Sequence, residues 1–105
     1  MEIKFDEKYL QELYEVGKTT DKKYRFQPDI VKRYQARIKT LERASKIEDL
    51  FGINSLHYEV LDGEKKGISS IRVNDQYRIE FKTTQVVSET VVTVCNILKL
   101  SNHYK

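Results

Sequence analysis

The hydrophobic period of this chain changes once, near residue 55, and that change limits the fold more than any other feature. Before it, apolar residues recur every three to four positions. Tyr9, Leu10, Leu13 and Tyr14 do so in "EKYLQELYEVGK", and Val31, Tyr34, Ile38 and Leu41 in "DIVKRYQARIKTLERAS". Such spacing gives each helix one apolar stripe. Asp6 is placed to cap the first helix, Gly17 to end it, and Pro28 to fit the first turn of the second. "EIKFD" alternates and predicts a short opening strand, "TTDKKYRFQ" a polar connection, and "KIEDLFGI" a short helical turn. After the change the period is two. "SLHYEVL", "GISSIRVN", "YRIEFKTT" and "ETVVTVCNIL" read as four strands with turn residues between them. Helices followed by a run of strands predict an α+β fold. Two N-terminal helices pack on one face of an antiparallel sheet of four to five strands, and the other face is at least partly open to solvent.

Length and composition narrow the class. The 105 residues suit a single domain, 1–105, with a modest core, and 39% hydrophobic against 33% charged residues marks a soluble globular chain. No apolar run approaches the roughly 18 residues of a membrane span. "MEIKFDEKYL" lacks the apolar stretch of a signal peptide. The lone Cys95 excludes an internal disulfide framework and a cysteine-based zinc site. It alternates with valines and reads as an inert buried thiol. Together these features point to the cytoplasm.

The net charge of +3 is unevenly spread: residues 1–15 hold five acids and two bases, residues 16–46 ten bases and three acids. A basic block of this kind is either a solvated helix face or a footprint for phosphates or an acidic protein. Lys32, Lys39, Arg43 and Lys46 fall on a stripe of the second helix apart from its apolar one.

"SSIRVNDQYRIEF" reads as a hairpin. Placing Ile71 and Val73 on the apolar face with Tyr77, Ile79 and Phe81 pairs Val73 with Tyr77 and leaves Asn74, Asp75 and Gln76 as the loop. That register sets Arg72 opposite Arg78 on the other face. Like charges so placed cost a few tenths of a kcal/mol, on the order of other cross-strand pair terms. Glu80 lies diagonally near enough to Arg72 to soften the clash. Alternatively, the two guanidiniums converge on an anion.

At these residues the chain resembles a known family. "LDGEKKGISSIRVNDQYRIEF" (61–81) is similar, without gaps, to the HigB signature of the RelE/ParE toxin superfamily, roughly "LKGDRKGxWSIRVNxQWRIxF", and the ending "LKLSNHYK" resembles many members. The resemblance implies a RelE-like fold and the toxin of a bacterial type II toxin–antitoxin pair. By the same resemblance it would be a ribosome-dependent endoribonuclease that cuts messenger RNA without a metal or other cofactor. Its implied partners are a helix-rich, DNA-binding, HigA-like antitoxin, messenger RNA on the ribosome, and ribosomal RNA, with no membrane. A toxin–antitoxin heterotetramer is one assembly left open.

In such a reaction the RNA 2′-hydroxyl attacks the adjacent phosphorus and the 5′-oxygen leaves. That requires in-line alignment, proton transfer and positive charge at the equatorial oxygens. Arg72, Arg78, Lys65 and Lys66 are candidates for the charge. Lys32, Lys39, Arg43 and Lys46 are candidates for ribosomal RNA. The resemblance puts the acid and base groups at His103, Tyr104 and the first long strand. The chain departs from the signature there. Glu59 stands where members often have a histidine, and His57 precedes it by two residues, so either can serve. Ser69 replaces a tryptophan, and Asn102-His103-Tyr104 replaces a common Asp-Tyr-His ending. A ParE-like gyrase inhibitor and an inactive antitoxin-binding homologue remain as alternatives.

Overall fold

The computed structural model describes residues 1–102 and realises the change of period as two layers. In chain order the elements are β1 (Glu2–Phe5), α1 (Lys8–Glu15), α2 (Pro28–Arg43), β2 (Glu59–Val60), β3 (Ser69–Arg72), β4 (Tyr77–Val87) and β5 (Val91–Asn102). Short 3-10 turns lie at Lys22–Tyr24, Ile47–Leu50, Asn54–Leu56 and Gly63–Lys65. The strands form one sheet in the order β1-β5-β4-β3-β2. β2, β3, β4 and β5 pair antiparallel, but β1 runs parallel to β5, with Ile3 opposite Cys95. The sheet is therefore mixed, which corrects the antiparallel expectation. Alternation identifies a strand without fixing its direction, and β1 reaches the free edge of β5 with both helices in between rather than through a hairpin.

The helices depart from expectation at their ends. α1 has Glu7 as its N-cap and no side chain closing its first turn. Asp6 does not cap it, because its backbone N–H still extends the β1–β5 ladder by donating to Ile97 O at 2.8 Å. Beyond Glu15, Gly17 takes a left-handed φ of 87° and returns its N–H to Glu12 O. α2 starts at Pro28 and stops at Arg43, so Lys46 is off the helix, ahead of the Ile47–Leu50 turn. "SLHYEVL" is a strand only at Glu59–Val60. Residues 54–56 form a turn ending at His57, whose φ of 45° is the only positive non-glycine value among the described residues.

The core lies between the layers. Leu10 and Leu13 of α1, with Val31, Tyr34, Ile38 and Leu41 of α2, bury against Ile71, Val73, Ile79, Phe81, Cys95 and Ile97 of the sheet. A fully buried side chain of this kind contributes about 1.5–3 kcal/mol relative to exposure. Tyr34 is buried with its hydroxyl donating to Leu10 O at 2.7 Å. The connection read as polar also adds to the core, since Tyr24 stacks on Tyr9 at 3.6 Å and Phe26 meets Tyr77 edge-on at 5.5 Å.

A bulge in β5 places the site. Glu80 faces Lys99 and Phe81 faces Ile97, which leaves Leu98 as an extra residue. The extra residue resets the alternation. Ile97 and Leu100 both reach the core, while Lys99 and Ser101 turn to the open face beside Glu80 and Arg78. Without it, Lys99 would point inward.

Candidate active site on the open face of the sheet

The hairpin register holds as the buried face requires. Ile71 pairs with Ile79, Val73 N–H donates to Tyr77 O at 2.9 Å, and Arg72 stands directly opposite Arg78. Asn74 Oδ1 fixes the three-residue loop by accepting from the N–H of Gln76 (2.9 Å) and of Tyr77 (2.7 Å). The two guanidiniums, however, do not converge. Arg72 turns to Asp75 in the loop. Arg78 reaches across β3, its Nη1 donating to Ser70 Oγ at 3.3 Å and to Glu59 Oε1 on β2 at 3.1 Å. Each arginine thus finds its own acid, and Glu80 does not soften Arg72. It accepts instead from Lys65 Nζ at 2.8 Å.

Arg78, Ser70, Glu59, Glu80 and Lys65, but not Arg72, line a cleft of about 260 Å³ between the Gly63–Lys65 turn and the strands, bounded at one end by Ser101 and Asn102. Two left-handed glycines, Gly63 (φ 68°) and Gly67 (φ 86°), fold the turn back, and Leu61 N–H closes it on Ile68 O at 2.8 Å. The Glu80 side chain is only 10% exposed, and that of Arg78 19%. Charge in the lining nearly balances, with Glu59, Asp62 and Glu80 against Lys65 and Arg78. Both bases are paired with acids, Lys65 with Glu80 and Arg78 with Glu59, so the cleft is not a bare cationic cradle. Arg78 Nη1 uses both its protons on Ser70 and Glu59, which leaves Nε–H and Nη2 for a ligand.

The other candidates fall in different places. His57 sits in a separate recess with Phe51, Ile53, Asn54 and Tyr58, and Tyr58 leans on the core residue Phe81. His57 is thus not two residues up a strand from Glu59, and of the two only Glu59 lines the cleft. Lys66 is exposed in the turn. Lys32, Lys39 and Arg43 are exposed on α2, in the helix layer. His103 and Tyr104 lie outside the described residues, directly after the cleft residue Asn102.

Sequence reasoning missed Ser70, the Lys65–Glu80 pair and Arg37. Arg37 Nε donates to Arg72 O at 2.9 Å, and burial, with the charges of Arg33 and Arg72, lowers its pKa. The signal for Arg37 was present: two arginines one helical turn apart in α2.

Over residues 3–94 the chain matches the model of a family described as RelE-like toxin of type II toxin-antitoxin system HigB. It is 35% identical over 83 residues to Toxin HigB-1 of Vibrio cholerae serotype O1 (strain ATCC 39315 / El Tor Inaba N16961), an alignment covering 78% of this chain and 83% of the relative. It superposes on a YoeB/ParE toxin from Agrobacterium tumefaciens with a TM-score of 0.61 at 18% identity, covering 99% of this chain and 100% of the other. At that identity the second likeness concerns the fold alone.

Proposed function

The chain belongs to the HigB-like family of RelE-type toxins in type II toxin–antitoxin systems, and from that premise we propose that it is a ribosome-dependent, metal-independent endoribonuclease that cuts messenger RNA. Family membership also implies a cognate antitoxin as partner. The observation that carries the catalytic reading is the Arg78–Glu59 contact of 3.1 Å in the cleft. It holds a cation for phosphate beside a carboxylate that can accept a proton.

A phosphodiester entering the cleft brings its non-bridging oxygens to Nε–H and Nη2 of Arg78, whose planar fork suits them. The phosphate competes with Glu59 for the guanidinium and releases the carboxylate toward the 2′-hydroxyl. Glu59 accepts the hydroxyl proton as the 2′-oxygen attacks phosphorus, and Arg78 stabilises the charge gained by the equatorial oxygens. Lys65, held by Glu80, adds a second positive charge at the rim. The departing 5′-oxygen takes a proton from His103 or Tyr104, the groups that follow Asn102 in the chain. The ribosome's part is alignment, which is worth several orders of magnitude when the attacking and leaving groups are held in line. Lys32, Lys39 and Arg43 on α2, with Lys46 just beyond its end, contact ribosomal RNA.

The test is expression of Arg78→Ala without antitoxin, followed by primer extension on messages. The parent arrests growth and leaves discrete cuts within translated codons, while the variant does neither and still binds antitoxin. Full toxicity in a folded Arg78→Ala protein would remove the site. DNA damage with intact messages would instead make the protein a gyrase poison of the ParE kind, and a harmless parent an inactive antitoxin-binding homologue.

A further inference from the structure

Outside the cleft, a second group of arginines stands where α2 meets the hairpin. Arg33 and Arg37 are one helical turn apart on α2, where like charges destabilise a helix. Neither has an ion pair among the described residues, and Arg72 has only Asp75. The bond from Arg37 Nε to the backbone Arg72 O, at 2.9 Å, ties α2 to the hairpin and fixes the Arg37 guanidinium at the end of β3. Arg37 is only partly exposed, and the burial that lowers its pKa also strengthens any charge interaction it makes. The group adjoins the cleft. Arg72 and Arg78 face each other on the β3–β4 ladder and their side chains part: Arg78 serves the cleft, while Arg72, bonded to Asp75, lies near enough to Arg37 for its charge to join burial and the charge of Arg33 in lowering the Arg37 pKa.

We propose that Arg33, Arg37 and Arg72 form a second phosphate site, which takes a backbone phosphodiester of the same RNA strand beside the one at Arg78. This deepens the RNA reading above and rests on it. The bond from Nε to Arg72 O orients the Arg37 fork and leaves Nη1 and Nη2 for two phosphate oxygens. Arg33, exposed on the helix, closes over the same anion. A phosphate displaces Asp75, which sits in an exposed loop, from Arg72. Phosphate binding of this type sets the register and direction of a strand and carries no base preference. Removing it weakens binding to every message alike.

The experiment uses a 2′-O-methyl RNA dodecamer, which lacks the attacking hydroxyl, and follows its binding by fluorescence anisotropy across a salt series. Arg33→Gln and the Arg33→Gln/Arg37→Gln double variant are expected to bind several-fold more weakly. The slope of log affinity against log salt should fall by about 0.7 for each phosphate that the variant no longer neutralises. Thermal melting checks that the double variant folds, and Arg33→Gln alone decides the matter if it does not. Unchanged affinity and slope would overturn the proposal. So would displacement of the RNA by poly-glutamate at equal charge, which would make the cluster a seat for an acidic protein segment. The two readings fail differently. If only the nuclease reading is wrong, the parent leaves messages intact while the arginine variants still bind RNA more weakly. If only the second site is wrong, Arg78→Ala abolishes cleavage while the cluster variants bind and cleave like the parent.

Discussion

Glu80 shows how a single side chain sets the geometry of the cleft. Its side chain is nine-tenths buried, and burying a carboxylate costs free energy unless a partner meets it, as Lys65 does from the Gly63–Gly67 turn. The pair therefore fastens the turn onto the sheet. Removing Lys65 strands the acid. Lys65→Ala is expected to cost about 1–2 kcal/mol in urea unfolding, below the range for fully buried pairs because the lysine is half exposed to screening water. On a Glu80→Gln background the same change should cost almost nothing, and equal costs in both backgrounds would show that the pair contributes no stability. The pair illustrates what the sequence could and could not reveal. Arg72 opposite Arg78 was legible, because the buried face fixes the register of both faces. The ends of the side chains were not, because Glu59 and Lys65 come from a two-residue strand and a turn whose positions no local pattern encodes.

At the scale of elements, the hairpin loop and the bulge both decide which side chains reach the open face. Asn74 accepts from two backbone N–H groups, so Asn74→Ala should leave both short of a partner and cost about 1–2 kcal/mol. Its toxicity should fall through loss of register at Arg72 and Arg78 even where the protein stays folded. A variant with parental stability and toxicity would show that Asn74 is dispensable to the turn. The helices were legible because Tyr34, Ile38 and Leu41 repeat at the helical period and are buried as that period requires. The segment around His57 was misread for a specific reason. Leu56, Tyr58 and Val60 alternate like a strand, but Leu56 is buried by a 3-10 turn and Val60 is 57% exposed. Leu98 posed the opposite problem, since a bulge hides inside an apolar run that fits an unbroken strand equally well.

For the molecule as a whole, the two layers enclose, among the described residues, Tyr9, Tyr34 and Cys95, groups that would ionise in water at high pH. Burial pushes Cys95 from its ordinary 9.0 up to about 12 and Tyr9 from 10.0 up to about 12, and it raises Tyr34 as well. In each case the folded protein holds the proton more tightly than the unfolded chain, so stability is complete below the unfolded pKa and falls as pH rises above it. For Cys95 and Tyr9 the fall continues until the folded value near 12 is reached. Stability from these groups should therefore be level from neutrality to about pH 9. The unfolded thiol then ionises and stability declines by about 1.4 kcal/mol per pH unit, more steeply once the tyrosines join. Cys95→Ala supplies the check, through urea melts taken at half-unit steps of pH. Its cavity lowers the whole curve without changing the shape below pH 9, but the onset of the decline should move from about 9 to about 10, where the tyrosines begin to ionise. An onset that stays at 9 in this variant would mean that the thiol is not sealed between the helices and the sheet.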